Sequence, residues 1–147
     1  MPAILTAISA LNPDCQLLGQ NTTEIVRPYE WLNYLSGTFH GQGFGGLWRP
    51  ERFVSDESLY PAVQEKARQT IKDCCAFVDG KLRDAKSTNS VGNSFKGVDA
   101  FLLVFYLWGI RFNIDMDTVY PLYAALAHRL LQRESVIDAR KVHVRMC

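Results

Sequence analysis

Apolar residues recur along this chain at helical rather than strand spacing. Ile4, Leu5, Ile8 and Leu11 share one face of a segment that opens at Pro2 and stops at Asn12-Pro13, which predicts a helix over residues 2–11. A second helix begins at Asn21. Glu24 follows three residues later, a pairing in which Asn accepts a backbone N–H and Glu favours the positive helix end. Its apolar face is Ile25, Tyr29 or Leu32, Leu35 and Phe39. Pro28 inside the segment removes one hydrogen bond and predicts a kink or a later start. Five glycines between Gly37 and Gly46 then predict an interrupted or bent helix and a close backbone approach to something else.

Ser55-Asp56 precedes a long helix reaching about Lys81. Val63, Ala67, Ile71, Cys74, Val78 and Leu82 form its buried stripe. Residues 84–97 are small and polar and read as a loop. Val98 to Arg111 is apolar nearly all round, so it is expected to be the central, buried helix. Asn113 to Asp117 turns the chain. Thr118 to Arg133 is amphipathic, with Val119, Leu122, Leu126 and Leu130 on one face, and Ser135 is placed to cap a last short helix through Arg140. Period-two alternation is confined to Val142-His143-Val144-Arg145. The expectation is an all-α fold in one domain, with helical segments at 1–11 and 21–140 and a tail at 141–147.

Composition narrows the functional classes. The chain has 147 residues, 48% of them apolar, which is enough for one domain with a real core. Sixteen basic and fifteen acidic residues leave a net charge of +1, which gives no electrostatic case for nucleic acid or an anionic membrane as partner. No apolar run approaches the roughly 20 residues that span a bilayer. No Lys or Arg precedes the apolar N-terminal stretch, as a secretory signal would require, so a cytoplasmic location is expected and Asn21-Thr22-Thr23 carries no meaning as a glycosylation site. Cys15, Cys74, Cys75 and Cys147 lack metal-ligand spacing and are expected to be reduced thiols; no metal site is expected.

Local motifs do not name a chemistry. Gly41-Gln42-Gly43-Phe44-Gly45-Gly46 contains a G-x-G, but no strand precedes it. His128 is assigned to a solvated helix face and His143 to the tail. His40 stands out, because it follows an apolar helix face and precedes the glycines, with Trp48 and Arg49 nearby. Asp99 opens the most apolar helix, where a carboxylate is costly unless it is hydrogen-bonded, and a fold-fixing cap is the expected role. Trp108 and Arg111, further along that helix, are candidates to face a cleft.

Several segments, taken in order, resemble a family. Ala3-Ile4-Leu5-Thr6-Ala7-Ile8 looks like the helix that ends the thioredoxin-like domain of cytosolic glutathione S-transferases. Residues 29–44 (Tyr29-Glu30-Trp31-Leu32 onward to Gly43-Phe44) look like the first helix of the family's C-terminal domain, closest to bacterial and fungal members. Val91 to Leu103 is similar to the glycine, capping and aspartate motif before the family's central helix. Trp108-Gly109, Tyr120-Pro121 and the helix to Arg133 continue the order.

The resemblance implies an all-α, C-terminal-like helical bundle with the thioredoxin-like domain absent, residues 1–11 being the remnant of that domain's last helix. It implies a homodimer. The half that binds glutathione and activates its thiol has no counterpart, so no cofactor is expected and glutathione is not expected to bind tightly. Lys96 stands where the family usually has Ser or Thr; Lys cannot accept an N–H bond, which leaves the cap to Ser94 or Asp99. The ending from Lys141 departs from the family as well. His40 and Trp108 match positions that in some bacterial members reach the glutathione thiol. Tyr34, Phe44, Trp48, Tyr106 and Arg111 are the neighbours assigned to the same hydrophobic cleft.

Three functions follow. The first is a protein that binds or transforms a hydrophobic small molecule, with His40 as acid–base residue in an isomerisation, cyclisation or elimination. The second is a non-catalytic assembly module, and the third is an inactive truncated transferase.

Overall fold

A computed structural model describes residues 2–85 and 87–146. Within them the regular elements are all helical, as the apolar spacing predicts. Helix α1 is Pro2–Leu11 and α2 is Thr22–Tyr34. The Asn21 side chain accepts from the Thr23 and Glu24 N–H groups at 3.1 and 3.0 Å, and Glu24 reaches back to the Gln20 N–H at 2.9 Å. This is the start that the Asn-x-x-Glu spacing predicts. Pro28 is accommodated within α2 without ending it.

The expected interruption at the glycines does not occur. The chain passes from α2 into a wider π-helical segment, Leu35–Phe44, and then into α3, Gly45–Trp48. The Gly45 N–H bonds to the His40 carbonyl, five residues back. Leu35, Phe39 and Phe44 are fully buried and recur at four and five residues, the wider spacing such a turn needs. The glycines serve the close approach instead. A Cβ at Gly43 would lie 2.9 Å from Ile71 Cγ1, and one at Gly46 would lie 3.0 Å from Ala67 Cβ. The smallest residues thus let this helix press against the long one.

That long helix, α4, is Tyr60–Ala85, entered through a turn capped by Asp56. Ala67, Ile71, Cys74, Val78 and Leu82 are buried along it, as the stripe predicts, and Cys75 joins them. Helix α5, Gly97–Arg111, is the central helix, with Val98, Leu102, Phe105 and Tyr106 wholly inside. The segment expected as one helix from Thr118 is two, α6 (Met116–Val119) and α7 (Pro121–Leu131). Pro121 cannot continue a helix from its predecessor, and Tyr120 stays outside helical geometry at φ −127°, ψ 65°. The buried face therefore shifts: Tyr123, Ala124, Leu126, Ala127 and Leu130 face the core, while Val119 and Leu122 are exposed. Helix α8 is Glu134–Met146, running beyond the expected end at Arg140. It begins before Ser135, so Ser135 is not its cap. Cys147 and the side chain of His143 lie outside the described residues.

Leu5 of α1 packs toward the start of α5, where Gly97 leaves room: a Cβ there would sit 3.3 Å from Leu5 Cδ2. The other apolar residues of α1, Ile4, Ile8 and Leu11, face outward, Leu11 at 86% exposure. No helix among the described residues is long and apolar enough to cross a membrane.

Candidate functional site

An aromatic cluster runs from the core to the surface between the π-helical segment, α3 and α5. Phe39, Phe44 and Phe105 stack at its buried end, with centroids 4.6 to 5.6 Å apart. Phe44 reaches Trp108 edge-to-face at 5.1 Å. Trp108 meets Trp48 at 4.6 Å and 81°, a T-shaped geometry that favours aromatic pairs. Trp48 is 41% exposed, so the cluster surfaces there. His40, at the exposed edge, lies 5.9 Å from the Trp108 ring and 6.3 Å from Phe105. The π-helical turn and α5 thus bring His40, Phe44, Trp48 and Trp108 together across 68 positions of sequence. The arrangement can receive an apolar molecule against indole rings with an imidazole at its margin.

Three other residues assigned to that cleft lie elsewhere. Tyr34 packs against Phe77 at 4.5 Å, in a groove of about 620 Å³ between α2 and α4 that Trp31 and Lys81 also line. Burial and the adjoining Cys74 thiol push its hydroxyl well above its ordinary pKa. Tyr106 leaves α5 on the side facing α7. Its ring meets Tyr123 and His128, and its hydroxyl donates to Asp117 Oδ1 at 2.8 Å. A residue two positions before Trp108 on a helix points about 160° away from it, which excludes both from one cleft. Arg111 is exposed at the end of α5 and makes no hydrogen bond or ion pair among the described residues; its charge suits a helix C-terminus.

The capping assignment divides. Asp99 is fully buried and holds the start of α5. Oδ1 accepts from the Ser90 N–H at 2.9 Å and the Ser90 hydroxyl at 2.6 Å, and Oδ2 accepts from the Lys96 N–H at 2.7 Å. Burial pushes the Asp99 carboxyl above the usual carboxylate range against the pull of these donors. Ser94 is exposed and takes no part; Ser90, four residues earlier, folds over the carboxylate instead. Lys96, the departure from the family, has another use. Its ammonium donates to the Gln16 carbonyl at 3.0 Å, beside a bond from the Gly97 N–H to the Leu17 carbonyl, and ties the turn after α1 to α5.

Two arrangements had no expectation in the sequence. Asp79 on α4 is buried, and its Oδ1 accepts from the Leu122 and Tyr123 N–H groups at 2.8 and 3.0 Å, capping α7 from another helix. The available signal was Tyr120-Pro121, a helix start with no Ser, Thr, Asp or Asn before it. His128, expected on a solvated face, is exposed but lies 3.0 Å from both the Asp117 carboxylate and the Tyr106 hydroxyl.

No family model matches the sequence and no curated protein does. Solved structures do. A glutathione transferase homologue from Sulfitobacter, with bound glutathione, superposes at a TM-score of 0.87 and 20% identity, over 97% of this chain and 66% of that one. BphK, a bacterial glutathione S-transferase, matches at 0.78 and 27% identity, over 96% and 66%. A beta-class glutathione S-transferase from Sphingomonas chungbukensis matches at 0.79 and 30% identity, over 96% and 65%. The chain therefore has the fold of the C-terminal helical domain of the glutathione S-transferase family. It spans about two thirds of the length of these relatives, and the thioredoxin-like third of the family has no counterpart among its 147 residues.

Proposed function

We propose that this chain binds or transforms a hydrophobic small molecule against Trp48, Trp108 and Phe44, in the cytoplasm and without using glutathione. His40 serves as the acid–base residue, moving a proton on the bound molecule in an isomerisation, cyclisation or elimination. The observation that supports this reading is the exposed imidazole 5.9 Å from Trp108, where an aromatic cluster rooted in the core reaches the surface. An imidazole needs solvent or substrate within reach to exchange a proton, and this one has it.

Titration with a hydrophobic fluorescence quencher, read through Trp48 and Trp108, tests the site. Binding should weaken at least tenfold in Trp108→Ala. His40→Ala should abolish turnover of any identified substrate while the helical circular dichroism spectrum stays unchanged. A His40→Ala protein that loses stability and binding together would assign His40 to structure and overturn the role. Glutathione itself should bind weakly or not at all, and micromolar affinity by calorimetry would contradict glutathione independence.

A homodimer belongs to the same reading. Ile4, Ile8 and Leu11 on α1 and Val104 and Ile110 on α5 are exposed apolar side chains, and isologous pairing is an economical way to cover such surface. Light scattering at micromolar concentration should return twice the chain mass; a monomer would refute it.

A further inference from the structure

A concavity lies between α3, the turns that follow it and the first half of α4. It is an open groove of about 590 Å³, within the roughly 300–1,000 Å³ range of small-molecule sites. Its floor is Gly46 and Ala67, where the helices approach too closely for a further methyl group. Phe53, Leu59 and Val63 supply apolar walls. Phe53 and Leu59 are each about half exposed, at 49% and 47%, and sit on short turns rather than in the core.

The polar groups of the lining are few. Thr70 already donates its hydroxyl to the Lys66 carbonyl at 3.0 Å. That leaves the Gln42 amide and the Lys66 ammonium to meet a ligand. Lys66 is the one ionisable group among the lining residues. Its helical neighbours at three and four residues are Ala62, Val63, Gln69 and Thr70, none of them acidic, and no ion pair among the described residues engages it. An apolar trough with one unneutralised cation at its rim is complementary to a molecule with an apolar body and one negative end.

We propose that this groove binds a free monocarboxylic acid, its aliphatic tail lying on the Gly46–Ala67 floor against Phe53 and Leu59 and its carboxylate at Lys66. The site shares no lining residue with the His40 cluster, so it stands or falls apart from the function proposed above.

The test is titration of the isotopically labelled protein with decanoate below its micellar concentration, followed by backbone amide shifts, with decanol as the uncharged control. Decanoate should perturb amides at Gly46, Phe53, Ala62 and Lys66, and decanol should bind several-fold more weakly. Lys66→Gln should weaken decanoate about three- to fivefold, the scale of one solvent-accessible ion pair, and leave decanol unchanged. Ala62→Trp, at an exposed helical position, should fill the groove and abolish binding while the remaining amide spectrum persists. Equal affinities for decanoate and decanol would overturn the proposal. Unaltered binding in Ala62→Trp would do so as well. So would shifts confined to His40, Trp48 and Trp108, which would assign the ligand to the other site.

Discussion

Helices α5 and α7 both begin on a buried aspartate, and the two aspartates come from opposite kinds of place. Asp99 belongs to the helix it caps, three residues inside, and gathers its donors from the nine residues before it. Asp79 belongs to a different helix and reaches α7 across more than forty residues of chain. Asp99 pairs the N–H groups of the loop and of the residue before its helix, Asp79 pairs two first-turn N–H groups of α7 that have no partner within that helix, and each carboxylate favours the positive helix end. The first cap exists once the loop and first turn form; the second exists only when α4 and α7 are docked. One is local wiring and the other is a tertiary contact in the form of a cap.

The largest effect should come from the local site. Asp99→Ala strips three hydrogen bonds from a wholly buried position and leaves the Ser90 and Lys96 N–H groups unpaired. The expected cost is about 3 kcal/mol, which corresponds to a fall in melting temperature of roughly 10 °C for a domain of this size. Asp99→Asn should recover only part of it, because its amide N–H₂ would face donors. An unchanged melting temperature would reduce Asp99 to a spectator.

Asp79→Ala should cost less, about 2 kcal/mol, because α7 loses two N–H partners but water can reach its exposed first turn at Pro121 and Leu122. The pattern matters more than the sum. Hydrogen exchange should accelerate in the first turns of α7 while the amides of α5 keep their protection, since only the docking of α7 is loosened. Loss of protection in both helices together would mean that the two caps are one cooperative unit. Arg83, which donates to Asp79 Oδ2 at 3.1 Å but is largely in solvent, should contribute no more than about 0.5 kcal/mol when truncated.

The same division between local and tertiary information explains what the sequence disclosed. The Asn21 cap and the stripe of α4 are written in spacings of three and four residues, and the structure repeats them; the central helix is legible because it is apolar nearly all round, although Val104, Ile110 and Arg111 on it are exposed. The role of Asp99 was legible because a carboxylate opening an apolar helix demands partners nearby, although Ser90 rather than Ser94 supplies them. Asp79 was not legible: it sits beside a buried stripe in a position where an acidic residue usually faces water, and only the missing local cap before Pro121 pointed to it. In the candidate site, His40, Phe44, Trp48 and Trp108 converge as the family resemblance implies. Sequence proximity and aromatic character group Tyr34 and Tyr106 with them. Neither property carries the phase of a helix. The widened turns from Leu35 to Phe44 rotate successive side chains by less than an α-helix would; the glycines read in sequence as an interruption or bend with a close backbone approach, and the close approach to α4 is what the structure has.

Lys96→Ser is the finest probe of the local cap, because its gain and its losses fall in different segments. The substitution restores a side chain able to accept the Asp99 N–H, a gain of about 1 kcal/mol at a typical N-cap. It removes the ammonium bond to the Gln16 carbonyl and the packing of a nearly buried stem. A charge-assisted bond of this kind contributes about 1.5 kcal/mol. The gain offsets most of the lost bond, and the lost stem packing leaves a net destabilisation of about 1 kcal/mol by equilibrium denaturation. The effect is not spatially uniform. The start of α5 becomes better capped, while the turn after α1 keeps the Gly97 to Leu17 bond and the buried Leu18 side chain to hold it against the bundle. Exchange at residues 15–19 should therefore quicken and exchange at the first turn of α5 should slow, relative to the small global change. Unaltered exchange at residues 15–19 would show that the reach of Lys96 to Gln16 contributes nothing to fixing α1 on the bundle.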